Sequence, residues 1–377
     1  MTIVADPPAP VDTLEVTLGI DTHADTHVAA VIDPLGRHLG HATFETTLSG
    51  FKALLAWAAG FGTIALAGVE GTGAYGAGLT RFLTTETVPV VEVDRPDRKT
   101  RRDQGKSDPI DAYAAARAAA SGRASGTPKA RTGDVESVRA LRVARNSAVK
   151  ARATALTQLK SLIVTAPDTL RAQLVDLDGA ELVTTCARLR PARSPNPTPP
   201  PSTKRAPRPG PLADPTAATK RSLASIATRI KTLSTEITEL DDDLDALITP
   251  LAPNLLGLLG VGLDVAGQLL VTAGDNPDRI HNESAFAHLC GVAPIPATSG
   301  KTVNRHRLNR GGDRAANAAL YRIAICRLRW DPDTRAYVER RTKEGLSKKD
   351  IIRCLKRFIA REVLAAIRTD LNPRNPA

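Results

Sequence analysis

Residues 14–120 alternate between strand-like and helix-like runs in an order that few folds accept. Three short β-rich runs come first, Leu14 to Ile20, Val28 to Ile32 and Leu39 to Phe44, with Asp33-Pro34-Leu35-Gly36 marking a turn between the last two. Their spacing predicts strands joined by tight connections, most simply antiparallel. A helix-period stretch from Phe51 to Ala59 then leads to an apolar strand, Thr63 to Val69. A further helix, Tyr75 to Thr84, precedes the strand Val88 to Val93. Last comes an alanine-rich helix opened by Gly105-Lys106-Ser107-Asp108-Pro109-Ile110-Asp111-Ala112. Three strands followed by α-β-α-β-α predict a mixed sheet flanked by helices.

That order is the order of an α/β RNase H-like (RuvC-like) fold, and acids stand where its chemistry would want them. Asp21 ends the first strand in Gly19-Ile20-Asp21-Thr22-His23, and Glu70 ends the fourth in Gly68-Val69-Glu70-Gly71-Thr72-Gly73. Asp108 and Asp111, three apart, project from one face of a first helical turn. Taken alone, that pair suits a capped helix, with Asp108 as N-cap and Asp111 at N3. Taken alone, Asp21 suits a turn and Glu70 a loop. Strand ends facing a helix start converge, however, and four carboxylates in one cleft repel unless cations bind among them. Oxygen ligands without His or Cys indicate Mg²⁺ or Mn²⁺. Two such ions, roughly 3.5–4 Å apart, would activate and stabilise the oxygens of a phosphodiester exchange.

The charge distribution points the same way. The 377-residue chain carries a formal +11, yet residues 1–100 hold 6 Lys/Arg against 12 Asp/Glu and residues 301–377 hold 20 against 8. Carboxylates collect cations and Arg/Lys collect phosphates, as a metal-dependent enzyme on nucleic acid requires. Four scattered cysteines without a C-x-x-C, and seven histidines without a ligand pattern, argue against structural zinc and a disulfide framework. Residues 1–13 lack the basic start and apolar core of a signal peptide and read as a disordered end. The longest apolar stretch, Leu251 to Ala273, is broken by Asn254, Asp264, Gln268 and glycines. No membrane span is therefore expected, and the expected location is cytoplasmic, associated with the nucleoid.

Beyond an α/β domain at 14–130, residues 131–250 read as a helical region. Val135 to Ile163 sets Arg139, Arg142, Arg145, Lys150, Arg152 and Lys160 among aliphatic residues, as either a solvated helix face or a nucleic-acid track. Residues 191–217 are Pro-rich and basic, a flexible linker. Leu223, Ile226, Ile230, Leu233, Ile237, Leu240, Leu244 and Leu247 then recur at alternating spacings of 3 and 4, an a/d seam that predicts a coiled coil within the chain or between subunits.

Residues 251–370 read as a mainly α-helical domain. Leu259-Gly260-Val261-Gly262, with Ala266 and Leu269, fits a helix-hairpin-helix whose Gly260 and Gly262 would let backbone N–H groups approach a phosphate, or else a plain interhelical turn. Further on, Ala297-Thr298-Ser299-Gly300-Lys301 precedes a run dense in cations that includes Arg305, His306, Arg307, Arg310 and Arg314. Such a set suits a scissile phosphate and its developing charge. Without a G-x-S-x-G elbow or a Ser-His-Asp order, acyl hydrolysis fits poorly. Asp313 to Arg329 and Ser347 to Arg368 read as amphipathic helices, the second with Ile352, Leu355, Ile359 and Val363 inward. Lys348, Lys349, Arg353, Lys356, Arg357 and Arg361 are left for solvent or phosphate.

The acid-bearing motifs, with Val91-Glu92-Val93-Asp94-Arg95-Pro96-Asp97-Arg98, resemble the N-terminal domain of the DEDD transposases of the insertion sequence one-hundred-ten (IS110) family. The stretch around Ser299 resembles that family's C-terminal transposase domain. The resemblance implies a metal-holding quartet at Asp21, Glu70, Asp108 and Asp111. It also implies a nucleophile at Ser299 that forms a covalent phosphoserine link to DNA, conserving phosphodiester energy for rejoining. Thr298 stands where many relatives carry a second serine, and Ala24 where they often carry lysine. The resemblance further implies donor and target DNA as substrates, a structured noncoding guide (bridge) RNA, and a dimeric or tetrameric assembly. A RuvC-like structure-specific endonuclease using water as nucleophile is the first alternative, and a non-enzymatic nucleic-acid-binding protein the second.

Overall fold

A computed structural model of the protein describes residues 14–93, 107–192, 212, 214–298, 306–307 and 311–372. The expected disordered end at 1–13, motif residues 94–106, most of the Pro-rich 191–217, and Ser299, Arg305 and Arg310 lie outside the described residues. Two compact units form, Met1–Glu136 with Asn254–Ala377, and Ser137–Pro253.

The first unit is built on five strands, β1 (Glu15–Thr22), β2 (Thr26–Ile32), β3 (His38–Glu45), β4 (Thr63–Glu70) and β5 (Val90–Val93), in the order β3-β2-β1-β4-β5. β1 pairs antiparallel with β2 and β2 with β3, whereas β1/β4 and β4/β5 are parallel, so the sheet is mixed as expected. The β2–β3 turn closes on Asp33, whose Oδ1 accepts the N–H groups of Leu35 and Arg37. Alternation along β1 divides the work between faces. Leu18 and Ile20 enter a core with Phe51 and Leu54 of α1 (Leu48–Ala59) and Leu79 and Leu83 of α2 (Ala77–Thr85).

Gly19 and Asp21 point the other way, toward α3 (Asp108–Ala120). Gly19 pairs with Gly68 across β1 and β4, leaving a bare patch on the sheet. The helix lies on that patch with Ala112, Ala115, Ala116 and Ala119. A Cβ at Gly19 would fall 2.2 Å from the Ala112 carbonyl oxygen and 2.3 Å from the Ala116 nitrogen, and one at Gly68 2.8 Å from the Ala115 carbonyl oxygen. Two glycines in adjacent strands and small residues on the helix are what so close a seat requires. Gly19→Ala is accordingly expected to cost about 3 kcal/mol or more, because rigid backbone must move. Urea denaturation would measure the loss, and divalent-ion affinity should fall with it as α3 lifts.

The unit Ser137–Pro253 is helical, carried by α4 (Asp134–Val164), α5 (Asp168–Leu174), α6 (Gly179–Arg188) and α7 (Pro215–Leu251). Leu223 and Ile230 of the predicted seam pack with Leu159 and Ile163 of α4, Leu170 and Leu174 of α5, and Leu182 of α6. Ile237 and Leu244 are likewise buried within the single chain. The α4 cations are also turned partly inward. Arg142 is buried, and the Arg145 guanidinium is bonded to Asp241 of α7. Those two positions belong to neither expected use, a solvated face or a nucleic-acid track.

The chain then returns to the first unit through α8 (Pro253–Leu256), α9 (Leu263–Ala273), α10 (Glu283–Leu289), a two-residue-wide ribbon β6 (Ile295–Pro296) and β7 (His306–Arg307), α11 (Arg314–Trp330), α12 (Pro332–Lys343) and α13 (Lys348–Leu371). The expected helical character holds here. α10 and α12 were not expected, although their start signals are present. Asn282 Oδ1 accepts the Ala285 N–H, and Asp331 Oδ2 accepts the Thr334 N–H, with Pro332 opening α12.

Candidate active site

Three elements meet at one end of the sheet. β1 delivers Asp21, the parallel β4 delivers Glu70 one step past the Ile20–Val69 pair, and α3 delivers Asp108 and Asp111. Asp21, Glu70 and Asp111 are each less than a tenth exposed. Parity explains the alignment, since each strand acid stands two residues after the glycine on which α3 sits. The same bare patch that seats the helix therefore directs its first turn to the acids.

The predicted cap differs in detail. Ser107, in extended conformation, is the N-cap, and its carbonyl accepts the Asp111 N–H at 3.1 Å. Asp108 is the first helical residue, and its carboxylate faces the strand end instead of closing the helix. Oδ1 of Asp108 lies 3.6 Å from His23 Nε2, which in turn lies 3.1 Å from Asp21 Oδ2. One donor atom from each of Asp21, His23 and Asp108 falls within 4.8 Å of the others. The sequence predicted an oxygen-only donor set, and the structure adds His23 Nε2 to the atoms within reach of it. The histidine belongs to the Gly19-Ile20-Asp21-Thr22-His23 run, and its period-two relation to Asp21 was the signal that could have placed it on the same side.

Electrostatics supports cation binding at this point. Burial, joined by the charges of Asp111 and Asp108, pushes the Asp21 carboxyl above its ordinary range, and His23 opposes the rise. A partly desolvated carboxylate raised by two like charges is stabilised by a nearby cation. Two carboxylates and one imidazole suit Mn²⁺ as well as Mg²⁺, the nitrogen leaning toward Mn²⁺.

The flanking turn is held in place from several sides. Thr22 Oγ1 donates to the Glu70 carbonyl at 2.8 Å, and Thr72 Oγ1 donates to Glu92 Oε1 at 2.7 Å. Arg131 donates to the Gly73 carbonyl at 2.9 Å. Arg131 belongs to a strap that also grips the helical part of the unit. Ala130 N–H donates to Asn276 Oδ1, Val135 N–H to Asp275 Oδ1, and Lys129 Nζ to the Val271 carbonyl at 2.6 Å. Burial, with help from Arg279 and Arg131 and against Asp313 and Glu92, lowers Lys129 to about 8.

A lysine lowered from 10.5 to about 8 is protonated at neutral pH in both folded and unfolded chains, so the full cost of burial and of the neighbouring guanidiniums, about 3 kcal/mol, is felt there. Between about pH 8 and 10.5 the unfolded chain binds the proton that the folded chain has released, and stability rises with pH. Lys129→Met is expected to stabilise the protein at pH 7 by about 1–2 kcal/mol after loss of the bond to Val271, and to abolish that alkaline rise. Melting temperatures of parent and variant across this window would measure both.

The other predicted residues are dispersed. His306 and Arg307 are exposed on β7, which pairs with β6 and so brackets the loop that contains Ser299. Arg314, Lys348, Lys349 and Arg353 are exposed, Arg353 with its NH1 2.6 Å from Asp350. Arg357 is half-buried, 3.6 Å from Glu283. Lys356 corrects its prediction. It is buried, and its Nζ donates to Asn317 Oδ1 at 2.8 Å, while the Asn317 amide holds the Cys290 and Gly291 carbonyls. The 3.6-residue period places it on the face of buried Ile359, Ala360 and Val363. Gly260 adopts φ +89°, and a Cβ there would press on Cys326 and the Ile323 backbone, so close packing on α11 accounts for this glycine. Gly262 is the N-cap of α9, with open space where a side chain would be. No helix among the described residues is long and apolar enough to cross a membrane.

Comparison with known proteins gives these placements a context. Residues 18–166 match a family model described as a transposase, of the IS110 DEDD type, and residues 252–339 match one described as the transposase IS116/IS110/IS902 family. The chain is 31% identical over 126 residues to a 43.6 kDa protein of insertion element IS110 from Streptomyces coelicolor, covering 32% of this chain and 30% of the relative. It is 29% identical over 129 residues to a 42 kDa protein of insertion element IS900 from Mycobacterium paratuberculosis, covering 33% and 31%. The aligned stretch thus spans under a third of either relative's length.

Proposed function

We propose, given that the chain belongs to the IS116/IS110/IS902 transposase family, that it is a DNA transposase that cuts and rejoins strands of a mobile element at the Asp21/Glu70/Asp108/Asp111 cluster. The convergence of the Asp21, His23 and Asp108 donor atoms within 4.8 Å carries this reading. A divalent cation held there, Mg²⁺ or Mn²⁺, would supply polarisation of the scissile phosphate and neutralisation of its developing charge. His23 keeps Asp21 and Asp108 facing each other before the cation arrives. The seat of α3 on Gly19 and Gly68 fixes the acids, so little reorganisation accompanies the reaction.

In this reading Ser299 is the nucleophile. Its Oγ forms a bond to phosphorus while one sugar oxygen leaves and takes up a proton, and the serine proton passes to solvent or a neighbouring base. Attack by the hydroxyl of a second strand reverses the exchange and restores Ser299, one ester replacing another without external energy. Arg307 on β7 supplies positive charge toward the phosphate, and His306 beside it a ring N–H donor. Donor and target DNA are the substrates, a structured noncoding RNA encoded by the element is the guide, and a homodimer or tetramer is the working assembly. Exposed Arg314, Lys348 and Lys349 suit backbone contacts to either polymer.

Incubating the protein with DNA of the element ends is expected to yield an adduct stable to detergent in Mg²⁺ or Mn²⁺. Chelation with EDTA should remove it, and re-addition of the ion should restore it. Adduct formation that ignores EDTA would sink the metal-dependent reading.

A further inference from the structure

Beside the β6–β7 ribbon, a cavity of about 1130 Å³ opens between the Gly291–Pro294 turn, α12 and α13. Its volume stands at the upper end of the ~300–1,000 Å³ of small-molecule sites, and its lining selects the ligand class. Six cations line it, Arg307, Arg340, Arg341, Arg353, Lys356 and Arg357, together with one acid, Asp350. Glu344, which pairs with Arg340 and Arg341, and Glu283, which pairs with Arg357, offset two more. The wall keeps a positive excess. Nε of Arg341 is also buried with no partner among the described residues.

Charge alone would suit any phosphate polymer, and the aromatic side chains narrow the choice. Tyr337 and Phe358 stand edge to face in the wall, ring centroids 5.9 Å apart, and the Arg340 guanidinium lies 5.4 Å from the Tyr337 ring. Phe358 is 51% exposed on a helix whose apolar side is otherwise buried. A duplex presents phosphates outward and keeps its bases stacked, which would leave that ring facing water. An unpaired base presents a π-face to it.

We infer that the cavity is a binding site for single-stranded nucleic acid, in which a base stacks on Phe358 while Arg340 and Arg341 hold the adjoining phosphates. The inference deepens the reading that the C-terminal part of the chain handles nucleic acid and rests on it. It adds Arg340, Arg341, Tyr337 and Phe358 to the residues that do so. A strand that must be unpaired to be exchanged or read has a place beside the β6–β7 ribbon.

The test uses the full chain in EDTA, so that binding is measured without chemistry, with fluorescein-labelled oligo-dT, oligo-U and a blunt duplex of equal length. Phe358→Ala is expected to weaken single-strand binding by about 10-fold and to leave duplex binding within about twofold, in keeping with the loss of one stacked base. Phe358→Trp should restore affinity, and Arg341→Gln should reduce the salt dependence by roughly 0.7 in log–log slope. An effect on oligo-dT alone assigns the site to a DNA strand, and one on oligo-U assigns it to RNA; both support the inference. Equal loss on the duplex, or no loss on either single strand, overturns it. Asp21→Asn serves as the separating control. It should bind like the parent here, so a failure of strand exchange leaves this result readable, and a failure here leaves the metal-centred chemistry standing.

Discussion

Asp21→Asn is expected to lower strand cleavage by at least about 10³-fold, equivalent to about 4 kcal/mol in the barrier, while leaving DNA affinity unchanged. Asp21 is the most buried carboxylate of the cluster's three donors, its Oδ2 3.1 Å from His23 Nε2 and within the 4.8 Å group with Asp108. An amide at that position keeps the shape and removes the negative charge that a divalent cation requires. Calorimetric titration with Mn²⁺ should show the loss directly, without reference to turnover. Stability should move in the opposite direction. Burial and two neighbouring carboxylates raise the Asp21 carboxyl above 3.8, so at neutral pH the metal-free fold bears the cost of the charge. As pH falls through the raised value toward 3.8, the folded chain takes up a proton before the unfolded one and gains stability. Asp21→Asn should therefore melt higher than the parent in EDTA at pH 7, and the difference should shrink in acid. A variant that cleaves at the parental rate would remove the cluster from the chemistry.

Ser299→Ala should have an effect of comparable size but a different signature. If Ser299 Oγ forms the covalent link, the variant loses the detergent-stable adduct and the rejoined product together, again by at least about 10³-fold. Metal binding at Asp21, His23 and Asp108 should be intact, because the substitution falls in the sequence between β6 and β7 and alters none of those donors. The rival chemistry, attack by water as in a structure-specific endonuclease, makes the reverse forecast. Cleavage would persist in Ser299→Ala, and no adduct would be found in the parent. Gel analysis of both proteins on one end-labelled substrate separates the two mechanisms.

Much of the first unit was legible from residue order. Each strand from Glu15 to Val93 and the start of α3 fell within a few residues of its expected place, because periodicity, turns and cap signals are local properties. The acids Asp21, Glu70, Asp108 and Asp111 stand at ends that a parallel β1/β4 pair and a packed helix bring to one edge, and two of them, Asp21 and Asp108, enter the 4.8 Å donor group. His23 was passed over because the carboxylates alone make an oxygen donor set, although its period-two relation to Asp21 placed it on the same side. Lys356 misled because its charge suggested solvent, whereas its register on α13 with buried Ile359, Ala360 and Val363 and the Asn317 acceptor on α11 turned it inward.

The amino-acid order by itself determined which elements form, which acids terminate them, and that the C-terminal end is the basic one. Each of these follows from backbone preference or from simple charge count over neighbouring residues. Only the tertiary structure decided that Gly19 and Gly68 become a single bare seat for α3, that His23 stands between two carboxylates, and that Tyr337 and Phe358 share a wall with Arg340 and Arg341. Those outcomes depend on contacts between distant segments, where close packing selects one arrangement among many that local preference allows.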